Sequence, residues 1–293
     1  MRILLIGAVQ FSAHVLEKLI SMRVEVVGVC TLSKSSFHAD HVNLIPIANQ
    51  AGIPAYDTPN INSSKTLEWI SSRTPDVIFC FGWSHLIRPP LLKLSRLGVI
   101  GFHPAALPAN RGRHPIIWAL VLGLKETASS FFFMDESADT GDLLSQVNIT
   151  IYPTDNAGSL YKRITEVALE QIKEFVPLLA NGSYERKPQL SDKTNIWRKR
   201  SLADGRIDWR MAAESIHNLV RGLSRPYIGA HFDYEDQAIK IWRTRVETNV
   251  SANFEPGKIL TVNRRGVLVK TGIGAIWLCE FEPMIFLNPG DYL

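Results

Sequence analysis

One histidine, His103, lies at the end of a predicted strand, a position that often carries functional residues in parallel sheets. His103 ends a short apolar run, Val99 to His103, which predicts a strand, and it opens the loop-forming part of segment 101–115. A loop at the carboxyl end of a buried parallel strand is where such sheets bind ligands. A histidine there can accept or deliver a proton near neutral pH. Because a lone loop histidine is more often structural, the residues alone make catalysis by His103 the minority interpretation.

A cluster of carboxylates follows the next apolar run. Segment 129–134, with three consecutive phenylalanines, predicts a strand. Four acids crowd the glycine-containing loop after it: Asp135, Glu136, Asp139 and Asp142. Solvated loop carboxylates are one explanation. The other is that one carboxylate reaches His103, fixes its tautomer and stabilises its protonated form, as paired acid and base groups do in many active sites.

The elements that must position these residues alternate between strand and helix. Apolar, β-branched runs at 2–6 and 24–30 predict strands, and apolar residues at helical spacing from Phe11 to Ile20 predict a helix between them. Further helices are predicted near 44–51, 64–73, 116–122 and 159–180, with strands after Gly52 and at 77–81. Because these strands are apolar throughout, we expect an α/β fold with a largely parallel sheet covered by helices.

The composition changes after the long helix, which Asn181 and Gly182 end. Segment 184–203 is polar, includes the basic run Arg198-Lys199-Arg200 and lacks periodicity, so it predicts a linker. A helix at 212–223 follows, then short strands at 230–232, 238–243, 258–262, 267–270 and 275–279, which predict a small antiparallel barrel or sheet. The predicted domains are therefore 1–183 and 204–293, with 184–203 between them.

The composition of the whole chain narrows the functional classes. The 293 residues are 46% hydrophobic, which predicts a globular protein with one or two domains. The opening apolar segment is too short for a signal peptide, and no apolar run reaches the roughly 18 residues of a membrane span, so we expect a cytoplasmic location. A net charge of +4 suits a phosphate-bearing small substrate without requiring nucleic acid. The separated Cys30, Cys80 and Cys279 predict buried free thiols, and no metal-ligand spacing is visible.

Several motifs follow one another in a specific order: a histidine at a strand end, Leu107-Pro108, Arg111-Gly112 and then Asp139-Thr140-Gly141. Further segments are the opening MRILLIG, FCFGWSHLI at 79–87, DGRIDW at 204–209 and NLVRGLSRPYIGA at 218–230. In their joint order these motifs resemble the formyltetrahydrofolate-dependent formyltransferase family, most closely its nucleotide-sugar N-formyltransferases. The resemblance covers nearly the whole chain, and it makes catalysis the favoured interpretation of His103.

The resemblance implies a fold, a cofactor and a set of roles. It implies a doubly wound, mostly parallel N-terminal domain that binds N10-formyltetrahydrofolate, followed by a smaller C-terminal β domain. It implies that His103 transfers the proton and that Asp139 supports this histidine and helps to stabilise the transition state. The residues implied to hold the folate head are His85, Leu86, Ile87, Arg113, Asp135, Glu136, Ser137 and Ala138.

One departure from the family pattern affects the chemistry. The pattern places an asparagine two residues before the histidine, as a donor to the oxygen that becomes negative during acyl transfer, and this chain has Gly101 there. Losing one such donor typically costs about a hundred- to a thousandfold in rate. Asn110 and His114 are the nearest polar substitutes, with backbone amides or an ordered water as alternatives.

The acceptor amine is predicted to belong to a nucleotide-linked amino sugar. A tRNA substrate needs an extended phosphate-binding surface, whereas segment 33–43, where tRNA-specific relatives carry a basic loop, has a single lysine. The basic run Arg198-Lys199-Arg200 is the observation that favours tRNA.

Other functions and partners stay open. The alternatives are a methionyl-tRNA formyltransferase, a non-catalytic protein that binds folate or nucleotide, and a hydrolase that releases formate. No nucleic-acid or membrane partner is expected. The apolar segment 284–287 is interpreted as core, with a homodimer interface as the alternative.

Overall fold

The chain folds into two compact units that interleave along the sequence. The computed structural model describes residues 1–34, 39–190 and 193–293. Unit 1 comprises Met1–Pro115, Thr127–Ile149 and Lys162–Trp197. Unit 2 comprises Ile116–Glu126, Thr150–Tyr161 and Arg198–Leu293. The domain boundaries expected at 183 and 204 stay a prediction, and the part of the lysine-poor segment at 35–38 lies outside the described residues.

Strands and helices alternate along the first two hundred residues. In chain order the elements are β1 (Arg2–Ile6), α1 (Gln10–Ser21), β2 (Glu25–Thr31), α2 (Ile45–Gln50), β3 (Ala55–Asp57), α3 (Ser64–Ser72), β4 (Val77–Cys80), α4 (Pro89–Leu92), β5 (Val99–His103), β6 (Arg111–Gly112), α5 (Pro115–Val121), β7 (Glu126–Phe133), β8 (Leu143–Thr150), α6 (Ala157–Asn181) and β9 (Ile196–Trp197).

The main sheet has seven strands in the order β3-β2-β1-β4-β5-β7-β8. The strands from β3 to β5 pair in parallel, and β7 runs antiparallel to β5. β1 lies near the centre, and its residues from Ile3 to Ile6 are fully buried, which explains why this run is apolar at every position. The predicted α/β fold with a mostly parallel sheet is confirmed.

The second sheet belongs to unit 2 and is antiparallel. The last elements are α7 (Ala213–Leu223), β10 (Ala230–Tyr234), β11 (Gln237–Glu247), β12 (Ile259–Asn263), β13 (Gly266–Lys270) and β14 (Ala275–Glu282). The five strands take the order β10-β11-β14-β13-β12. Ile216, Leu219 and Leu223, at helical spacing on α7, join the core of this unit with buried strand residues. The predicted smaller antiparallel domain is confirmed.

The apolar segment after β14 is only partly core. Leu287 is buried and Ile285 packs against the core of unit 2. Met284 and Phe286 are 80% and 99% exposed, so the expectation that the segment is core is wrong for these two residues. In an extended chain successive side chains point to opposite sides. This alternation explains why Ile285 and Leu287 pack inward while Met284 and Phe286 are exposed. The homodimer stays a prediction.

The cysteines are free thiols, as expected, and Cys30 and Cys80 are buried. Burial raises the pKa of the Cys80 thiol to about 12, and burial with the neighbouring Cys80 raises the pKa of Cys30 further. Cys279 is only partly buried, which differs from the expectation. Within residues 1–34, 39–190 and 193–293, no helix is both long and apolar enough to cross a membrane.

Candidate active site

His103 closes β5, beside the point where parallel pairing gives way to antiparallel pairing. β5 pairs in parallel with β4 on one side and antiparallel with β7 on the other. The His103 side chain is buried, and its Nε2 lies 2.7 Å from the backbone oxygen of Asn110. The loop that follows β5 therefore curls back to the end of the strand it leaves.

Asp139 is the acid of the 135–142 loop that reaches this histidine. Its Oδ2 lies 3.7 Å from His103 Nδ1 and accepts a hydrogen bond of 3.0 Å from the backbone N–H of Gly112. The pairing of these two side chains, which the sequence left as one of two explanations, is present in the structure. Their catalytic roles stay a prediction.

The contacts of His103 determine which of its ring nitrogens can accept a proton. A carbonyl oxygen can only accept a hydrogen bond, so the Nε2 facing Asn110 carries the proton. In a neutral imidazole the lone pair is then on Nδ1, which faces Asp139. Because 3.7 Å exceeds a hydrogen-bond distance, the carboxylate acts on the ring through its charge. It can stabilise the imidazolium that forms when Nδ1 accepts a proton.

Side chains of β7 and β8 hold the first part of the loop after His103. Ser130 Oγ donates to Ala105 O at 2.6 Å. Gln146 Nε2 donates to Leu107 O at 2.9 Å and to Ser130 Oγ at 2.8 Å. Gln146 gives the Leu107 carbonyl a partner, and Ser130 adds a second bond to the Ala105 carbonyl, which also accepts from Leu107 N at 3.0 Å. No spacing or composition around Ser130 or Gln146 predicts this role.

Described residues of the expected linker, 184–203, are bonded to the loops that carry His103 and Asp139. β9 pairs with β6 in parallel, Asn195 Oδ1 accepts from Asn110 N at 2.7 Å, and Gln189 Nε2 donates to Asp139 O and Gly141 O. Leu143 in β8 and Lys187 exchange backbone hydrogen bonds. The first part of the expected linker therefore has hydrogen-bonded partners, and its role as a boundary between domains stays a prediction. These contacts are not predictable from the sequence, because two-residue strands and single side-chain bonds leave no periodic pattern.

The position of the absent family asparagine is filled by packing. Gly101 lies opposite Phe132 in the β5–β7 register. A Cβ on Gly101 would lie 2.8 Å from Phe132 Cζ and 2.9 Å from Met134 Cγ. The space that an asparagine side chain would need is therefore occupied by two apolar side chains. Asn110, one proposed substitute, reaches His103 through its backbone carbonyl.

The segment expected to bind the folate head is fastened from two sides. Asn62 Nδ2 donates to Leu86 O at 2.9 Å, and Asn62 Oδ1 accepts from Arg88 N at 2.9 Å. Arg113 Nη2 donates to Ser84 O at 3.1 Å, which brings it to the residues beside His85. Ile87 is buried, whereas His85 and Leu86 are exposed. The role of Asn62 is not predictable from the sequence, since it lies between a strand and a helix with no motif around it.

The second expected folate segment, 135–138, is exposed and organised by its own contacts. Asp135 Oδ1 accepts from Ser137 N at 3.0 Å and from Thr140 Oγ1 at 2.6 Å. Within the part of the chain that the structure describes, no hydrogen bond or ion pair joins this segment to 85–87 or to Arg113. Arg113 is thus joined to the first segment by a hydrogen bond, and Met134, just before the second segment, packs in the same apolar cluster as Ile87 and Trp83.

The residues near 83–88 combine a buried donor with backbone at the end of a central strand. The Nε1 of Trp83 is buried without a hydrogen-bond partner, and such a donor is costly to bury unless a ligand or water accepts from it. The adjacent backbone of 85–88 lies at the carboxyl end of β4, where doubly wound sheets bind ligands. A flat heterocycle that both donates and accepts hydrogen bonds fits this set of groups.

Family models match most of the chain. The formyl transferase model matches residues 1–176, and the model of the formyl transferase C-terminal domain matches residues 199–284. Methionyl-tRNA formyltransferase from Desulforamulus reducens is 30% identical over 289 residues, covering 96% of this chain and 90% of that protein. The enzyme of the same name from Clostridioides difficile is 29% identical, covering 92% and 88%.

Solved structures share the fold at low sequence identity. WlaRD, a sugar 3N-formyl transferase solved in the presence of dTDP and 5-N-formyl-THF, has a TM-score of 0.72 at 14% identity, covering 97% of this chain and 99% of that one. HypX from Aquifex aeolicus, in complex with tetrahydrofolic acid, has a TM-score of 0.70 at 18% identity. The match covers 96% of this chain and only 44% of HypX. The chain belongs to the formyl transferase family, whose enzymes take their formyl group from N10-formyltetrahydrofolate.

Proposed function

We propose that this formyltransferase moves a formyl group from N10-formyltetrahydrofolate to the amine of a nucleotide-linked amino sugar, with His103 and Asp139 at the reacting centre. The observation that carries the catalytic part is the buried imidazole whose Nδ1 faces a carboxylate at 3.7 Å, at the end of β5. An acceptor amine must lose a proton during transfer, and this pair can receive it.

The folate head is assigned to the segment at 83–88 and to Arg113. Trp83 Nε1 and the backbone of His85, Leu86 and Ile87 would bind the heterocycle, while Arg113 and Asn62 keep this segment in place. When bound, the folate supplies the formyl carbon, attached to a nitrogen that leaves. Asp135, Glu136, Ser137 and Ala138 complete the proposed site, supported only by the resemblance.

Two residues carry the proton transfer. The amine attacks the formyl carbon, the bond from that carbon to the folate nitrogen breaks, and one amine proton must reach the departing nitrogen. His103 Nδ1 accepts this proton from the amine and then donates it to the departing folate nitrogen. The Nε2–H of His103 stays bonded to Asn110 O throughout. Asp139, held by the Gly112 N–H, stabilises the intervening imidazolium.

The basic run after β9, the main argument for tRNA, has structural partners. Arg198 is paired with Asp204, and this hydrogen-bonded guanidinium holds the pKa of the Asp204 carboxyl well below its usual range. Arg200 is buried, donates to Asp204 O and lies 4.7 Å from the Trp118 ring centroid. Two of the three cations thus stabilise unit 2, which reduces what they could offer to a phosphate backbone.

The charge of unit 2 also supports a small acceptor. Its 15 Lys and Arg stand against 13 Asp and Glu, a net charge of +2. Arg206, Arg210 and Arg225 each form an ion pair with a carboxylate of the same unit. A nucleic-acid-binding domain usually presents a concentrated positive surface. A nucleotide-linked sugar needs only a few cations.

Methionyl-tRNA is the second candidate acceptor. Relatives that favour it include the two methionyl-tRNA formyltransferases at 29% and 30% identity. The sugar formyltransferase structure matches at 14% identity, which indicates a shared fold and leaves the acceptor open.

An acceptor assay distinguishes these candidates. Purified protein would be mixed with formyl-tetrahydrofolate and a panel of nucleotide-linked amino sugars or methionyl-tRNA, while tetrahydrofolate release is followed. We expect turnover with at least one sugar and none with methionyl-tRNA. Turnover with methionyl-tRNA alone would replace the sugar proposal, and equal formate release with and without any amine would indicate a hydrolase.

A further inference from the structure

Gln189 makes three hydrogen bonds beside the candidate active site. Its Nε2 donates to the backbone oxygens of Asp139 at 3.0 Å and Gly141 at 2.7 Å. Its Oε1 accepts from Arg111 Nη2 at 2.7 Å. Both amide hydrogens therefore face carbonyl oxygens of the loop that carries Asp139.

These contacts fix the orientation of the amide. A guanidinium has only donors and a carbonyl oxygen only accepts. Rotating the Gln189 amide by half a turn would place its oxygen against two oxygens and its NH₂ against the Arg111 donor. The observed orientation is consequently the one that satisfies all three partners.

The loop that Gln189 holds has a backbone that needs support. Asp139 has a φ of +59°, a left-handed conformation that is uncommon for residues other than glycine. A Cβ on Gly141 would lie 1.7 Å from Phe133 O, so the turn packs directly against the strand before it. Such a conformation persists when neighbouring groups hold it, and Gln189 bonds to both sides of it.

The opposite side of Asp139 touches the other catalytic loop. The Asp139 carboxylate accepts from Gly112 N, while the N–H groups on either side, of Arg111 and Arg113, donate to Asn195 O and Trp197 O. Hydrogen exchange of the Gly112 amide therefore depends on whether the Asp139 carboxylate is in place. Exchange of the Arg111 and Arg113 amides depends on the pairing of β6 with β9.

We propose that Gln189 is a positioning residue that holds the Asp139 carboxylate at His103, acting through the backbone of residues 139–141. The expected effect on the rate of formyl transfer rests on the proposed function. The expected effect on the position of the Asp139 carboxylate does not. Within the described part of the chain, the hydrogen bonds of Gln189 go to Asp139, Gly141 and Arg111, and none goes to His103 or to 83–88.

The test compares Gln189→Met, Gln189→Glu and a matched control. Methionine keeps the length of the side chain and removes all three hydrogen bonds. Glutamate can still accept from Arg111 but presents oxygen to both carbonyl groups. Gln171→Met is the control, because Gln171 Nε2 also makes two hydrogen bonds in unit 1, to Ser129 O and Ser145 Oγ.

The first readout is kinetic. We expect both Gln189 variants to lower kcat by about a hundredfold, as misplacement of a catalytic group by about 1 Å does, while KM for formyl-folate changes less than about twofold and Gln171→Met keeps the wild-type kcat. In an Asp139→Asn background, Gln189→Met should cause no further loss of kcat, since residues that act as a unit are not additive. An unchanged kcat in Gln189→Met, or the same loss in Gln171→Met, would overturn the proposal.

The second readout is amide hydrogen exchange and needs no activity. In Gln189→Met, exchange of the Gly112 amide should accelerate at least about tenfold, while the Arg111 and Arg113 amides keep their wild-type rates. Acceleration of all three would show that Gln189 only stabilises the segment, and acceleration of none would show that Asp139 stays in place without it. If wild-type protein formylates no amine, the proposed function fails and this exchange pattern still decides the role of Gln189.

Discussion

At the residue scale, Gly101 and its neighbours explain how the chain departs from the family pattern. The Phe132 ring and Met134 occupy the volume that a side chain at position 101 would enter. The departure is therefore built into the packing of β5 against β7, and restoring the asparagine alone would not restore a donor at the reacting centre.

This packing predicts the effect of adding a side chain at position 101. Gly101→Ala should lower the free energy of unfolding by about 1–3 kcal/mol, the usual range for an overpacked core, as measured by urea denaturation. In a Phe132→Leu background, which removes the contacting ring atom, the same change should cost less. Equal stability of Gly101→Ala and wild type would contradict the packing described here.

The candidate site shows which residue-scale properties a sequence can reveal. The pairing of His103 with Asp139 was one of two explanations that the residue types allowed, and the family resemblance favoured it. Gln189 and Asn62 were not predicted, because an amide that binds a distant backbone carbonyl has no spacing or composition that distinguishes it from a surface amide.

At the element scale, long apolar runs were predicted well. β1, β4 and β5 are apolar at each central position because both faces are buried, and α6 carries a one-sided stripe. β8 was missed, since several of its side chains are exposed and its pattern is mixed. β6 and β9 have two residues each, too few for any periodicity.

The contact between α7 and β11 predicts a pH dependence of stability. His217 Nδ1, on α7, lies 2.9 Å from Thr244 Oγ1, on β11. Burial lowers the pKa of His217, as does the charge of Arg221, while the charge of Glu214 opposes the shift. The unfolded chain then binds a proton at a higher pH than the folded chain, so stability falls as pH decreases below the ordinary histidine value of about 6.5.

Denaturation at two pH values checks this prediction. The free energy of unfolding of wild type should decrease between about pH 7.5 and about pH 5.5, and His217→Asn should remove part of that decrease. Carboxylates contribute to both proteins, so only the difference between them is informative. Identical pH profiles for the two proteins would contradict a neutral, buried His217.

At the scale of the whole molecule, the net charge and the pairing of the arginines indicate which class of acceptor the protein can bind. The chain carries +4, of which unit 2 contributes +2, and many of its arginines are already paired. Net charge is visible in a sequence, but the pairing of Arg198 with Asp204 and the burial of Arg200 required the structure.

The salt dependence of catalysis follows from this distribution. Raising salt from about 50 to about 200 mM should increase KM for the acceptor by less than about tenfold, because a nucleotide sugar carries few phosphates and releases few counterions. A nucleic-acid substrate held by six to ten phosphate contacts would lose about 10³–10⁵ in affinity over the same range. Steady-state kinetics at several salt concentrations provides the measurement, and a loss of the larger size would contradict a small acceptor.

Proton transfer by His103 is tested most directly by comparing His103→Gln with wild type in single-turnover formyl transfer. Glutamine can keep the hydrogen bond to Asn110 O that His103 Nε2 makes, but its amide nitrogen cannot accept a proton. We expect the rate of transfer to fall by about 10²–10⁴, the range that general acid–base catalysis contributes, with formyl-folate affinity unchanged within about threefold. Near-normal transfer by His103→Gln with folate still bound would contradict the assignment of proton transfer to His103.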